Sequence, residues 1–484
     1  MMKMRVDKDK LKKRAAVGVF FLSLKRAIVQ VVFTGSNIFL ARLLFPEDFG
    51  TFAILQFVLT FFTVFSDVAL STSLIQKKEK IDDSDLQTAF SFQLLLSLPV
   101  VIIIFFAAST VSNFYNLGDQ GVVLFRLISL VLLLVPFKTI AGAVLERELM
   151  YFKLVNVEIL EILLQVTITV FFAFLGFGVF SFVIGLLAAN FISAITYTVF
   201  YPWKIRFRIK AKNLIKLSKF GLPLQINTIL GLFYGPLVFL YLGKAVGVQN
   251  LGYFQFAASM AVFPLAVSDI IGRIIFPLGS RLQGSKQDLR LIMEKSISVV
   301  SLFALPMVLL GMAASKEIIT FVYGPKWLPA QNAVLIGLVQ ISIVCYTAVF
   351  SNMLLAKGNA KVIRNMGIFW GVLTWIIVFP LVDRFNFVGM SITSLIVSAS
   401  GIWLYFRLKR DLHFAFLANF LPYLVFSVVA VCVFVILSNI LPPSLLALFF
   451  KGIVSVCVYL ALLLVFMRKE TVSNFSKLYS LVRN

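Results

Sequence analysis

Histidine occurs once in these 484 residues, at His413, and cysteine three times, at Cys345, Cys432 and Cys457. The cysteines all sit inside apolar stretches without metal-like spacing, so they read as small core residues and not as a disulfide framework. His413 has no ligand-type neighbour and reads as solvated surface. The chain also lacks a Gly-rich phosphate loop, HExxH, GxSxG and any paired-cysteine metal motif. No enzyme and no cofactor site is expected from this pattern, and ATP-driven transport by this chain alone is disfavoured. Charge is scarce as well: 13% of residues are charged, against 60% hydrophobic residues and 52 Phe. No soluble domain hides that much apolar surface.

What the chain has is about fourteen apolar stretches in series, each near the twenty residues that carry a helix across hydrocarbon about 30 Å thick. They fall at 16–43, 49–75, 86–108, 121–144, 154–175 and 179–201, then 220–242, 251–278, 291–313, 331–356, 366–382 and 388–406, and finally 416–440 and 445–467. The basic start followed by Ala15–Leu24 reads as part of a retained first span, because Lys25-Arg26 interrupts it and no small-residue cleavage site follows. Glycine and proline recur inside spans (Pro99, Pro136, Pro223, Pro236, Pro264, Pro277, Pro306, Pro380), where neighbouring helices can re-satisfy a bent backbone. Outer connections such as Leu441-Pro-Pro-Ser444 are short; the largest, Ser315 to Ala330, carries Tyr323-Gly-Pro-Lys-Trp327. The expected fold is thus an all-α polytopic membrane protein of about 14 transmembrane helices.

The net charge of +23 arises from 44 Lys+Arg against 21 Asp+Glu. Counted over alternate connections, about 33 basic residues lie on one side, about 5 on the other and about 6 within spans, which is the positive-inside pattern. That asymmetry predicts an even number of spans and both termini in the cytoplasm. The basic excess is topology, so nucleic acid is not an expected partner. The heaviest cluster after the N-terminus is Lys204-Ile-Arg-Phe-Arg-Ile-Lys210, continuing to Lys212, Lys216 and Lys219.

The chain repeats itself. Ala41-Arg42 through Asp48-Phe49-Gly50 and Phe52 aligns at an offset of 202 with Gly243-Lys244 through Asn250-Leu251-Gly252 and Phe254, and Ser66-Asp67 aligns with Ser268-Asp269. Like-oriented repeats of this kind predict two six-helix lobes. The expected division is 1–203 for the N-terminal lobe, 204–219 for a basic cytoplasmic linker, 220–410 for the C-terminal lobe, and 411–484 for two extra helices and a tail.

At Ala-Arg-Leu-Leu-Phe-Pro-Glu-Asp-Phe-Gly the chain resembles the polysaccharide exporters of the multidrug/oligosaccharidyl-lipid/polysaccharide superfamily, in the Wzx-type colanic-acid and teichuronic-acid branch. Leu74-Ile-Gln76, Leu242-Gly243-Lys244, Leu251-Gly252-Tyr253, Phe276-Pro277 and Tyr323-Gly-Pro-Lys-Trp327 carry the resemblance further, from about residue 18 to 335. It departs at Gly235-Pro-Leu-Val238, where many relatives have an acid. The resemblance implies two MATE-like lobes in a bacterial cytoplasmic membrane, flipping an undecaprenyl-diphosphate-linked oligosaccharide between leaflets for cell-surface polysaccharide synthesis. It implies as partners that lipid-linked substrate, membrane lipids, and the polymerase and chain-length regulator of the same pathway.

An anionic headgroup crossing hydrocarbon needs a wet cavity with fixed cations, and charges inside spans are costly enough to be examined one by one. Lys25, Arg26, Arg126 and Arg273 are the candidate diphosphate and sugar-binding residues, and the resemblance adds weight to the first, second and fourth. The opposing readings are an interfacial Lys25-Arg26 pair and an Arg126 that snorkels. Glu158 and Glu161 share a helical face near the depth of Lys138, which suggests a structural ion pair, or else a proton or sodium site driving the cycle. Asp67 and Asp269, related by the repeat, read either as helix-linking hydrogen bonders near the cytoplasmic ends or as gate or ion-coupling residues. Gln30, Asn37, Gln225 and Asn227 line the sugar path or join helices. Lys451 reads as an interfacial anchor. A drug or cation antiporter of the same superfamily would need acids in a cavity, whereas basic residues dominate the deep positions here. A polysaccharide polymerase or ligase would need a large outer loop with catalytic Arg or His, whereas the outer loops are short and His-free.

Overall fold

The computed structural model describes residues 28–67, 70–77, 81–215 and 236–467, together with positions 25, 79, 217, 218, 225, 231 and 232. Within a bilayer every backbone group must be paired inside the protein, which leaves helices or closed barrels; all the regular elements described here are helices. They are α1 (Ile28–Leu43), α2 (Pro46–Asp67), α3 (Leu70–Gln76), α4 (Asp83–Phe114), α5 (Gly118–Ser129), α6 (Val131–Arg147), α7 (Tyr151–Phe174) and α8 (Phe180–Phe200). Then follow α9 (Pro236–Ala261), α10 (Leu265–Arg281), α11 (Lys286–Glu317), α12 (Gln331–Ala356), α13 (Ala360–Phe385), α14 (Phe387–Ser400), α15 (Ile402–Leu412), α16 (Leu421–Ile440) and α17 (Leu445–Phe466).

Among the described residues, 11 helices are long and apolar enough to span a membrane, or 12 if α9 and α10, bent by 54°, count as one. The first expected span is represented by the shorter Ile28–Leu43, and most of the seventh lies outside the described residues. Polar residues mark where helices begin. Asp82 starts α4 with a capping box: its carboxylate accepts from the Asp85 N–H at 2.8 Å, and the Asp85 carboxylate accepts from the Asp82 N–H at 3.1 Å. Ser444 does the same for α17, accepting from the Ala447 N–H at 3.1 Å. Such caps satisfy amide donors that the helix cannot.

The chain divides into two compact units, Met1–Gly252 and Tyr253–Asn484. In the first, α3, α4 and α6 close over Leu70, Leu74, Phe90, Ile140 and Val144, all nearly inaccessible. A neighbouring cluster of Ala141, Leu145, Leu154, Val157 and Tyr197 joins α6, α7 and α8. Gln225 reaches α2, donating to the Val64 carbonyl, and so joins helices. Lys244 donates to the Phe114 carbonyl at 2.7 Å, covering an open C-terminal acceptor of α4.

The repeat-related residues meet inside this unit. A Cβ on Gly50 would lie 1.7 Å from the Val248 carbonyl oxygen, and a Cβ on Gly252 would lie 1.8 Å from that of Pro46. Pro46 and Val248 are themselves partners at the offset of 202, so the contact is reciprocal. Only residues without a Cβ allow the two backbones to approach so closely.

In the second unit, α11 packs on α12 and, through Leu302, Leu305, Tyr423, Ala430, Tyr459 and Leu463, on α16 and α17. The two C-terminal helices therefore belong to this unit. The outer connection Ser315 to Ala330 is built of helical turns: it continues α11 as a π-helical turn, Ile318–Tyr323, and a 3-10 turn, Pro325–Ala330, with Trp327 fully buried and stacked 4.4 Å from Phe256. Lys451 is not an interfacial anchor. It is fully buried, donates to both carboxylate oxygens of Glu317 at 2.7 Å, and lies 5.4 Å from the Phe434 ring. A cation inside the apolar packing is tolerable only with such a partner.

Candidate functional site

The first unit holds a cavity of about 520 Å³, walled by α3, α6, α7 and α8 together with Lys25. Its polar lining includes Ser71, Lys138, Thr139, Glu158, Glu161 and Tyr197, with Glu146 also at its wall. The helical rule brings Glu158 and Glu161 to one face of α7, both toward the cavity, and each holds a lysine. Lys25 Nζ donates to Glu158 Oε2 at 2.7 Å, with side chains 24% and 29% exposed. Lys138 pairs with Glu161, and both are further held: Lys138 donates to Asn190 Oδ1 at 2.7 Å and Ser193 donates to Glu161 Oε2 at 2.7 Å.

The two pairs differ in what a competitor would have to displace. Lys138–Glu161 is a four-membered network, and breaking one bond leaves the rest unsatisfied in a low-dielectric site. Lys25 and Glu158 have only each other among the described residues. Of the two ammonium groups on the cavity, Lys25 is the one that can change partners.

Asp67 joins the same site indirectly. Its carboxylate accepts from Ser71 Oγ at 2.9 Å and from the Gln93 amide, while Gln93 Oε1 accepts from Thr139 at 2.9 Å. Ser71 and Thr139 face the cavity, so two hydroxyls link Asp67 to it. Sequence reasoning anticipated the Lys138–Glu161 pair but missed the Ser71–Gln93–Thr139 network, because hydroxyl and amide residues are common in packed spans.

The other candidates lie elsewhere. Arg126 on α5 is exposed, 4.5 Å over the Phe105 ring, with its Nε donating to the Phe105 carbonyl at 3.4 Å; it is not part of the cavity wall. Arg273 and Asp269, one turn apart on α10, are exposed and belong to the second unit. Arg26 lies outside the described residues. Among those residues no group of His, Cys, Asp and Glu could hold a metal ion.

Comparison with known proteins agrees with this architecture. Residues 39–332, more than half of the chain, match the family model described as "Polysaccharide biosynthesis protein". The Escherichia coli lipopolysaccharide biosynthesis protein WzxC is 25% identical over 312 residues, 62% of each chain. The Bacillus subtilis teichuronic acid biosynthesis protein TuaB is 21% identical over 322 residues, 64% of each chain. A membrane protein from the Klebsiella pneumoniae cps region is 25% identical over 298 residues, 60% of each chain. The chain thus spans about three fifths of the length of these relatives. Among solved structures, the lipid II flippase MurJ in an inward closed conformation superposes with a TM-score of 0.75 over 93% of this chain and 99% of that one, at 16% identity. An inward-facing multidrug transporter of the MATE family gives 0.56 over 81% and 98%, at 12% identity. The fold is the one these transporters share, and the chain belongs to the polysaccharide biosynthesis protein family.

Proposed function

We propose that this multi-pass membrane protein flips an undecaprenyl-diphosphate-linked oligosaccharide from the cytoplasmic to the outer leaflet of a bacterial cytoplasmic membrane, by alternating access and without catalysis. Both termini lie in the cytoplasm on this reading. The carrying observation is the Lys25–Glu158 pair on the wall of a polar cavity of about 520 Å³. That volume is in the range of small-molecule sites, roughly 300–1,000 Å³, and suits a headgroup whose lipid tail stays in the bilayer.

The lining carries three carboxylates and two ammonium groups, so it is not a standing positive trap. The cation is offered by exchange instead. A diphosphate entering the cavity takes the Lys25 ammonium from Glu158, and the freed carboxylate takes up a proton or cation. Glu158 reclaiming its lysine then favours release. An ammonium acts here as a point charge, strong enough to orient phosphate and free of the fixed geometry of a bidentate Arg. Glu161, clamped by Lys138 and Ser193, keeps the wall in place, and Asp67 senses it through Ser71 and Thr139. A drug or cation antiporter would need free acids facing the cavity; Glu158 and Glu161 hold lysines, which leaves Glu146 at its wall as the one carboxylate without a lysine among the described residues.

The names of the relatives support the substrate class: biosynthesis of lipopolysaccharide and teichuronic acid, and transport of succinoglycan in the case of the Rhizobium meliloti protein ExoT. The test is flipping of a lipid-linked oligosaccharide by the protein in proteoliposomes. Lys25→Gln should abolish it while insertion and thermal stability persist, and Glu158→Gln should bind the diphosphate more tightly and release it slowly. Normal flipping by stable Lys25→Gln protein would refute the exchange.

A further inference from the structure

The segment Lys204-Ile205-Arg206-Phe207-Arg208-Ile209-Lys210 alternates cation and apolar residue without a break. It leaves α8 after Tyr201 and is not helical, yet it is fixed in place by a row of polar side chains on the first turns of α4. Gln87 Nε2 donates to the Lys204 carbonyl at 3.1 Å; Ser91 Oγ donates to the Arg206 carbonyl at 3.4 Å and accepts from the Arg208 N–H at 2.9 Å. Thr88 Oγ1 accepts from the Lys210 N–H at 3.3 Å, and Asn213 then donates to Ser84 Oγ at 2.8 Å.

Two features follow from this pattern. Only the even-numbered residues are bonded to α4, which is the period of extended backbone. Their side chains therefore share one face, and Ile205, Phe207 and Ile209 share the other. The bonding partners also climb from Gln87 to Ser91 and return to Thr88 and Ser84, so the segment is an arch with Phe207 at its apex.

Its depth can be estimated. The 32 residues of α4 measure about 48 Å at 1.5 Å per residue, against hydrocarbon about 30 Å thick, so about 9 Å projects at each end. Ser84 to Ser91 rises about 10 Å, which brings Ser91, and Phe207 with it, to the level where headgroups give way to acyl chains. Phe207 is 66% exposed there, Ile205 40% and Ile209 38%. The four cations are exposed, and none is in an ion pair among the described residues. Of the nearby acids, Asp85 accepts from Lys77 and Asp82 caps α4. Asp83 and Glu148 lie near Tyr201, at the start of the segment, and pair with none of the four cations among the described residues.

We propose that residues 204–210 form an interfacial strap bound to anionic phospholipid. Phe207 and the flanking isoleucines enter the acyl boundary, while Lys204, Arg206, Arg208 and Lys210 hold lipid phosphates by reaching along their flexible stems. A soluble acidic partner fits the charge but not the depth, since it would have to meet Phe207 inside the headgroup layer.

The experiment uses the full chain in nanodiscs of phosphatidylcholine alone and of phosphatidylcholine mixed with phosphatidylglycerol. Hydrogen exchange at the amides of Ile205, Phe207 and Ile209, which α4 does not hold, should be slower in the mixed discs. Phosphatidylglycerol retained through native mass spectrometry should fall about fivefold for each cation removed, tested with Arg206→Gln and Arg208→Gln. Equal exchange in the two discs overturns the proposal, and so does protection that appears only on adding a lipid-linked diphosphate, which would make the strap a substrate site. The wild-type comparison between lipids stands even where a variant folds poorly.

Discussion

Gly252→Ala is the sharpest single perturbation of the fold. The added carbon would lie 1.8 Å from the Pro46 carbonyl oxygen, with its carbon at 2.6 Å and the Gly50 nitrogen at 3.2 Å. Ordinary contacts of a Cβ begin near 3.4 Å, so the backbones must part by about 1.5 Å. All three obstructing atoms are backbone, and no rotamer change can relieve them. Overpacking typically costs about 1–3 kcal/mol, and this geometry belongs at the upper end. Gly50→Ala meets Val248 backbone in the same way and should cost a similar amount. Because the two contacts are reciprocal, the parting caused by one alanine makes room for the other. The double variant should therefore cost less than the sum, with a coupling of about 1 kcal/mol or more. Thermal unfolding of the purified protein reads all three. Gly452→Ala is the control: nothing lies within 4 Å of its Cβ position in α17, and alanine there should be neutral or stabilising by up to about 1 kcal/mol. If Gly252→Ala unfolds together with Gly452→Ala, the close approach does not exist.

Other substitutions test the packing and the helix ends. Lys451→Met leaves Glu317 without its cation and should cost about 3–5 kcal/mol of stability in a melting assay, while Lys451→Met with Glu317→Leu should recover most of it. Trp327→Ala empties the fully buried site beside Phe256 and should cost about 3–5 kcal/mol; Trp327→Phe should cost clearly less. The cap on α4 has a pH signature. Burial pushes the Asp82 carboxyl up, but the Asp85 N–H, the Ser84 hydroxyl and the Lys77 charge together hold it below the usual carboxylate value. A depressed folded-state value means that its charge stabilises the protein above about pH 4 and that this contribution disappears as the pH falls further. Melting of Asp82→Asn should therefore differ from wild type at neutral pH and converge with it in acid.

Much of the architecture was legible because hydrocarbon imposes one rule, a run of about twenty apolar residues per helix. The repeat showed in sequence because its glycines and their neighbours are needed for a backbone contact, and they come in the same order twice. The charges were harder. Lys451 stands among phenylalanines and valines just as a snorkelling lysine would, and only the fold brings Glu317, 134 positions away, to meet it. Lys25 lies 133 positions from Glu158, so a cation that looked free for phosphate already has a partner. Arg126 gave no sign that it rests on the Phe105 ring instead of facing the cavity. Pairing of this kind depends on which helix faces meet, and local periodicity does not encode it.

Lipid analysis of cells lacking this chain, with the rest of the polysaccharide pathway intact, reads movement of the lipid-linked oligosaccharide directly. Diphosphate-linked oligosaccharide should accumulate on the cytoplasmic face of the membrane. Normal lipid-linked intermediates with altered drug sensitivity, or unpolymerised repeat units on the outer face, would contradict a role in that movement.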